Sequence, residues 1–312
     1  MSCVRQLLTC LLCGLLALSA SAAAARAPQP AGDPRVLVLG AVSDDPAADY
    51  GRLKPLLDYT VARLAGAGIR EGRILMARDA RQMASYLRRG RVDWVTGSAA
   101  TGMRLQMQAG AQPLLVDERH GASRSSTLVF VRRDANLRRL EDLRGRSIAF
   151  ADGSSAGAYY MPALQLLEHR LPLQLLASPL DRPGADAVGY VFARSQANIA
   201  AWVHRGLVDA GTASDVDWDN PQAMPPALRE GFVVIDRGPD YPRALEMVRG
   251  DLAPALRDRL REVLLQAASD PDAREPLLEY AGTTRFLPID ADAAAGLRRI
   301  GEGVARVRAE VE

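Results

Sequence analysis

Short apolar runs and stretches of helically spaced apolar residues take turns along the chain. The runs predict strands at residues 35–39, 74–77 and 92–95, the helical spacing predicts helices at residues 53–64 and 80–89, and the polar residues 41–51 predict a loop. Further along, the same patterns predict strands at residues 126–132 and 231–235, a short helix at residues 137–145, and long helices at residues 252–268 and 290–310. Alternating strands and helices are typical of a parallel α/β sheet.

A helix–glycine–strand unit at residues 84–93 (ASYLRRGRVD) recurs 116 residues later, at residues 200–209 (AAWVHRGLVD). Two such units can resemble each other because the pattern is common, and two similar lobes that share a cleft would also produce the repeat. Ligands of open α/β sheets bind beyond the carboxyl ends of the strands. The second hypothesis therefore places the small residues that follow the first copy, Thr96, Gly97 and Ser98, at a ligand cleft.

A strand, a turn of small residues and a helix follow one another at residues 145–162. Residues 147–150 are apolar and predict a buried strand, and a helix is predicted from Tyr159 to His169. The first N–H groups of a helix lack intrahelical acceptors and lie at the positive end of its dipole, so this arrangement suits an anion. The predicted ligand contacts here are Ser154, Ser155, Ala156, Gly157 and Tyr159.

The sequence Gly153-Ser154-Ser155-Ala156-Gly157 also matches the nucleophile elbow G-x-S-x-G of serine hydrolases. Ser155 would be the nucleophile, Asp181 or Asp186 the acid and His204 the base. His204 follows Ser155 by only 49 residues, which leaves little room for the strands of a hydrolase fold, and it lies inside a predicted helix. The sequence therefore favours binding over catalysis, and we expect a protein that is not an enzyme.

The first 24 residues have the features of a secretory signal peptide, with a basic start, an apolar stretch and small residues suited to cleavage. Cys3, Cys10 and Cys13 all lie inside it, so the secreted chain would carry no disulfide and no thiolate metal site. The three histidines lack metal-ligand spacing, and we expect neither a metal nor another cofactor. A net charge of +2 without a long basic run argues against a nucleic-acid partner.

Four short motifs occur in a fixed order: Leu53-Lys54-Pro55-Leu56, Gly90-x-Val92-Asp93, Leu140-Glu141-Asp142-Leu143-Arg144-Gly145, and Ser154-Ser155-Ala156-Gly157 with Pro162 after it. Their order and spacing resemble the phosphate/phosphite/phosphonate-binding proteins of ABC transporters, from about residue 35 to residue 249. The last motif is similar to the S-T-S-G-x-x-x-P of that family. The resemblance implies an α/β chain with the two-lobed type II periplasmic binding fold and two hinge crossings.

The chain departs from the family pattern at positions that contact ligand. Ala156 replaces a second serine, and the histidine that touches the oxyanion in some members falls near Gln196, which we take as a ligand contact. Two acidic residues hold an amino group in the aminophosphonate binders; one falls near Asp215 and the other near Arg243. An arginine in place of a carboxylate favours a ligand that is more anionic than a zwitterion.

The resemblance thus implies a periplasmic protein that captures a small oxyanion, such as phosphate, phosphite or a phosphonate, between its lobes. We expect a signal peptide at residues 1–24, a disordered lead at 25–33, lobe 1 at 34–126 and 238–312, and lobe 2 at 127–237. The expected partner is an inner-membrane ABC permease or a sensor kinase ectodomain, and the expected state is a monomer. A sulfonate or an organic acid is the alternative ligand, and a serine hydrolase the alternative class.

Overall fold

The structure is a computed structural model and describes residues 33–311. The strands are β1 (Val36–Val42), β2 (Glu71–Ala77), β3 (Trp94–Ser98), β4 (Gln112–Arg119), β5 (Arg124–Ser125), β6 (Thr127–Arg132), β7 (Ser147–Phe150), β8 (Leu173–Leu175), β9 (Val188–Phe192), β10 (Ala210–Ser214), β11 (Phe232–Arg237), β12 (Tyr241–Pro242), β13 (Ala244–Val248) and β14 (Thr283–Leu287). The helices are α1 (Pro46–Arg63), α2 (Ala80–Arg88), α3 (Ala99–Ala109), α4 (Met161–Glu168), α5 (Gln196–His204), α6 (Asp215–Asp219), α7 (Pro226–Arg229), α8 (Pro254–Gln266), α9 (Arg274–Glu279) and α10 (Ala291–Glu310). A π-helical turn, Ala156–Tyr160, leads into α4.

Two six-stranded sheets form the centres of two lobes. The sheet of lobe 1 has the order β14-β4-β13-β3-β1-β2, and that of lobe 2 has the order β11-β6-β10-β7-β9-β8. In lobe 1 the strands β1 to β4 share one direction, while β13 and β14 run against them. The antiparallel pair β5–β12 lies where the chain passes between the lobes. The predicted α/β, two-lobed architecture is confirmed.

The carboxyl ends of the parallel strands mark one edge of each sheet, and the candidate ligand residues lie there. In lobe 1 this edge carries Ser98 at the end of β3, Arg119 at the end of β4, and Arg243, because Ala244 at the start of β13 pairs with Ser98. In lobe 2 it carries the turn at residues 152–157 after β7, and Gln196 after β9.

The repeat seen in the sequence is also a repeat in the structure. Each copy ends its helix at a glycine with positive φ, +62° at Gly90 and +68° at Gly206, a conformation that glycine adopts without strain. The aspartate that follows accepts a backbone N–H from the neighbouring strand in both lobes, at 2.9 Å from Val38 to Asp93 and at 2.9 Å from Ser147 to Asp209. The two units therefore occupy equivalent places at the centre of their sheets.

Helix α10 packs on both lobes, whereas the sequence analysis assigns residues 238–312 to lobe 1. It packs against α3 of lobe 1 and against α4 of lobe 2, with Ile300, Val304 and Val307 buried. Arg299 forms an ion pair with Glu168 across the lobes, at 2.7 Å. The apolar face of α10 is thus wide enough to cover two surfaces, which the periodicity alone could not reveal.

Other predicted elements need correction. The predicted loop at residues 41–51 is wrong, because α1 begins at Pro46. Asp45 caps the helix by accepting the N–H of Ala48 at 3.2 Å, and proline suits the first helical position. The predicted helix at residues 137–145 is only a 3₁₀ turn, Leu140–Leu143. The predicted signal peptide and most of the predicted lead lie outside the described residues, and within residues 33–311 no helix is long and apolar enough to cross a membrane.

Candidate functional site

The three predicted ligand contacts that follow one another at the end of β3 comprise one buried and two partly exposed positions. Thr96 is buried in the sheet, and its hydroxyl lies 3.5 Å from Nη2 of Arg119. Ser98 caps α3 by accepting the N–H of Thr101 at 3.2 Å. Gly97 lies between them and is partly exposed. The edge of lobe 1 therefore offers backbone and hydroxyl groups, while Thr96 also contacts a cation.

The turn after β7 holds its hydroxyl groups in local hydrogen bonds. Ser154 donates both its N–H, at 2.7 Å, and its hydroxyl to the carboxylate of Asp152. Ser155 caps the π-helical turn, and its hydroxyl accepts the N–H of Ala158 at 3.0 Å. The N–H groups of Ala156 and Gly157 open this turn, where intrahelical acceptors are lacking. Capping and anion binding are compatible here, because the cap uses only one of the first N–H groups.

The two lobes touch at this turn. The hydroxyl of Ser98 lies 3.5 Å from the carbonyl oxygen of Ser154, and Arg104 donates to the carbonyl oxygen of Gly153 at 3.3 Å. A Cβ on Gly157 would lie 2.0 Å from the hydroxyl oxygen of Tyr241, so glycine is required for this approach. Burial raises the pKa of Tyr241 to about 12. Tyr241 therefore places an uncharged side chain from the hinge against the turn of lobe 2.

Arg243 is the half-buried cation at the hinge. Its Nη1 donates to the carbonyl oxygen of Arg119 at 3.4 Å. Among residues 33–311, no carboxylate lies within 4.0 Å of its guanidinium group. Burial lowers the pKa of Arg243, opposed by the more distant charge of Asp217. A guanidinium that is partly desolvated without a carboxylate partner is a place where an anion would be stabilised.

Asp215 belongs to the hinge, and both of its carboxylate oxygens already accept hydrogen bonds from the protein. Its two oxygens accept the hydroxyls of Ser125 at 2.6 Å and Ser126 at 3.0 Å, and the first also accepts the N–H of Val216 at 2.9 Å. Although burial opposes them, these hydrogen bonds lower the pKa of Asp215. Arg237 approaches the same carboxylate at 3.8 Å. The acidic position that the resemblance matches to an amino-group contact is thus used inside the protein.

Two other predicted contacts, Tyr159 and Gln196, are held by interactions within lobe 2. Tyr159 is fully buried in lobe 2, where its ring packs on Phe150 and Phe192 at centroid distances of 5.3 and 5.0 Å. This aromatic core explains the side chain without a ligand. Gln196 is at the cleft edge, but its Nε2 donates to the carbonyl oxygen of Thr212 at 2.7 Å.

The hydrolase arrangement does not form. Within the described residues, Ser155 Oγ has one hydrogen-bond partner, the N–H of Ala158. His204 is exposed at the last residue of α5, whose first turn starts at the cleft edge, so the helix carries it about 12 Å from that edge. Ser155 therefore lacks the general base that a serine nucleophile needs.

A buried polar cluster beneath the edge of lobe 1 escaped the sequence analysis. Asp117 on β4 and Glu246 on β13 are both fully buried, and Arg119 pairs with Asp117 at 2.6 Å. Trp94 Nε1 and the Tyr280 hydroxyl donate to Glu246, the latter at 3.1 Å. Burial raises the pKa of Glu246 well above its usual range, and the charge of Asp117 adds to this effect. The signal in the sequence is an acid that follows directly on apolar residues inside each of two strands, Asp117 after Leu114, Leu115 and Val116, and Glu246 after Leu245.

Two α/β lobes, joined by two crossings and presenting polar strand ends to each other, define a solute-binding protein of the type II periplasmic binding fold. The model of the family described as "ABC transporter, phosphonate, periplasmic substrate-binding protein" matches residues 39–294. The chain belongs to this family. Membership implies a small ligand, a membrane permease as partner and a periplasmic location. The members of this family are transport proteins rather than enzymes.

Solved structures agree with this assignment. The chain is 47% identical to XAC2383 from Xanthomonas citri bound to a chloride ion, with a TM-score of 0.84 over 89% of this chain and 100% of that one. A structure of XAC2383 bound to ATP gives 46% identity and the same TM-score of 0.84, with the same coverage of both chains. PhnD1 from Prochlorococcus marinus in complex with methylphosphonate shares the fold, at 16% identity and a TM-score of 0.61 over 88% of this chain and 100% of that one.

Proposed function

We propose that this protein captures a phosphate-bearing anion in the cleft between its lobes and presents it to a membrane permease. The ligand class extends from phosphate and simple phosphonates to nucleoside polyphosphates. The upper end of this range is supported by the relative at 46% identity, whose structure is described as bound to ATP. No bond is made or broken in this role.

Arg243 is the observation that carries the proposal. It lies at the hinge, half-buried, and no carboxylate of the described residues is within 4.0 Å of it. A phosphate oxyanion can accept two parallel hydrogen bonds from a guanidinium group, which gives both affinity and orientation. An ammonium group at the same place would be repelled. We therefore expect a ligand whose oxyanion lies at Arg243.

The turn of lobe 2 supplies the remaining donors in this proposal. The N–H groups of Ala156 and Gly157 open the helical turn, and Ser154 and Ser155 can turn their hydroxyl groups toward the anion. Thr96, Gly97 and Ser98 approach from lobe 1. A ligand held by both lobes binds the closed form better than the open one, and that difference in affinity is what favours closure.

A thermal-shift panel tests the ligand class. The purified protein, freed of ligand by unfolding and refolding, is heated with phosphate, methylphosphonate, ATP, sulfate and taurine in separate wells. A ligand present at 100 times its dissociation constant stabilises the folded state by about 2.7 kcal/mol, which gives a readable rise in Tm. We expect a rise with at least one phosphorus oxyanion and none with taurine.

Arg243→Met tests the proposed contact, and Arg81→Met, at an exposed position on α2, controls for the loss of one positive charge. Removing a charged hydrogen bond should weaken the binding of the ligand by about 10- to 150-fold in calorimetry. The control should leave the affinity unchanged. A panel without any rise for a phosphorus oxyanion contradicts the ligand class, and equal affinity of wild type and Arg243→Met contradicts the site.

A further inference from the structure

A second arginine reaches the edge of lobe 1 beside Arg243. Arg119 is the last residue of β4, and its guanidinium extends over β13 to the hydroxyl of Thr96 on β3, at 3.5 Å. Its own carbonyl oxygen accepts the hydrogen bond from Arg243, at 3.4 Å, so the two residues are in direct contact. The carboxyl ends of strands β3 and β4 are where an open α/β sheet binds its ligand.

The guanidinium of Arg119 is held on one side and open on the other. Its Nε and Nη2 both donate to Oδ2 of Asp117, at 3.2 and 2.6 Å. Within the described chain, Nη1 makes no hydrogen bond, and 22% of the side chain is exposed while that of Asp117 is fully buried. The ion pair therefore fixes the direction of the side chain and leaves N–H groups for another acceptor.

The buried carboxyl groups around Arg119 do not neutralise the positive charge of Arg119 and Arg243 at the cleft. Two carboxylates, Asp117 and Glu246, lie buried beside a single arginine, and Oδ1 of Asp117 has no donor in the described residues. Burial raises the pKa of both carboxyl groups, which disfavours two negative charges in this cluster. With one of the two carboxyl groups protonated, the other balances Arg119, and Arg243 leaves the cluster with one positive charge. With both ionised, the four groups would have no net charge.

We infer that Arg119, held by Asp117 and Thr96, is a second anion-binding residue of the cleft, so that the site takes ligands with two or more negative charges in preference to ammonium-bearing phosphonates. This inference rests on the proposed capture of a phosphate-bearing anion. Arg119 would contact the ligand, whereas Asp117 would act as a positioning residue behind it. Two adjacent guanidinium groups suit adjacent oxyanions, as on a polyphosphate.

Calorimetry with four probes tests the inference: inorganic phosphate, methylphosphonate, 2-aminoethylphosphonate and ATP, each with wild type, Arg119→Gln and Arg119→Lys. For Arg119→Gln we expect the affinity for ATP to fall about 10-fold or more. The affinity for 2-aminoethylphosphonate should fall less, because its ammonium group is no longer repelled by the second guanidinium. Arg119→Lys keeps the charge and should recover part of the ATP affinity. Because a structural change alone would weaken all probes alike, the ratio of the two phosphonate affinities is the decisive readout.

Two further variants complete the design. Asp117→Asn/Arg119→Gln keeps the buried cluster neutral and replaces Arg119→Gln if the single variant does not fold. Arg285→Gln removes a nearby exposed arginine that pairs with Glu118 at 2.7 Å, and it controls for general electrostatics. If wild type binds none of the four probes, the proposed function fails. If wild type binds but the Arg119 variants bind within about twofold of it, or Arg285→Gln loses as much, the inference fails and the proposed function stands.

Discussion

The buried pair of carboxyl groups in lobe 1 makes the stability of this protein depend on pH, and Glu246→Gln isolates that dependence. Glu246 and Asp117 are fully buried beside one arginine, and burial raises the pKa of Glu246 well above its usual range. A glutamine has the same shape. It can accept the indole N–H of Trp94 and donate to the unpaired Oδ1 of Asp117.

The magnitude follows from proton linkage. Glutamate in the unfolded chain has a pKa of about 4.3. A folded-state pKa raised above that value gives stability that is complete at lower pH and is lost as the pH rises toward the folded-state pKa. Each pH unit over which folded Glu246 keeps its proton lowers the free energy of unfolding by about 1.4 kcal/mol relative to Glu246→Gln. Between pH 5.5 and 7.5 the variant should therefore gain up to about 2.7 kcal/mol on wild type.

Urea unfolding at pH 5.5, 6.5 and 7.5, followed by tryptophan fluorescence, measures this difference. Glu279→Gln, which removes an exposed glutamate from α9, controls for the general loss of negative charge. A constant difference between Glu246→Gln and wild type over this range would refute the retained proton. A variant less stable than wild type by the same amount at every pH would show instead that Glu246 is ionised and serves Arg119 as a counter-ion.

Two substitutions test the contact between the lobes. Gly157→Ala places a Cβ 2.0 Å from the hydroxyl oxygen of Tyr241, so ligand affinity should fall about 10-fold or more in calorimetry. The control Gly153→Ala, whose Cβ would have no atom within 4 Å, should leave the affinity unchanged. Equal affinities of the two variants would contradict closure of the lobes on this turn. Arg299→Gln removes a partly exposed ion pair between the lobes, so ligand affinity should fall only about twofold. Arg298→Gln, at the exposed neighbouring position, should leave the affinity unchanged. A loss of similar size in both variants would contradict a specific role for the ion pair.

The parts of this fold that follow from local rules could be predicted from the sequence. The order of a buried strand, a turn of small residues and a helix at residues 147–168 depends on apolar runs and capping residues, which are close together in the chain. The repeat around Asp93 and Asp209 was equally visible, because each aspartate follows a glycine that ends a helix. What each aspartate does, accepting a backbone N–H from the next strand, required the sheet order.

The second half of the candidate site could not be predicted because it is assembled over long distances. Asp117, Arg119 and Glu246 come from two strands more than 120 residues apart, and periodicity treats a charged residue in such a strand as an outward-facing one. Tyr159 shows the opposite limit: its place at the start of a helix suggested a ligand contact, whereas its ring fills the aromatic core of lobe 2. Local patterns identify which residues can contact a ligand, and only packing decides which of them remain free to do so.

If Arg243 contacts the anion as proposed, the same arginine would also make closure of the lobes depend on ligand. Arg243 is half-buried and forms no ion pair within the described residues, and the carboxylates of Asp217 and Asp215 act on its charge only from a longer distance. Desolvation of a charge without an ion-pair partner is costly, so we expect closure without an anion to be disfavoured. An oxyanion between Arg243 and the turn at residues 154–157 offsets that cost only when both sides are in contact. Its affinity for the closed form then exceeds that for the open one, which is the physical condition for a ligand to shift the balance between them.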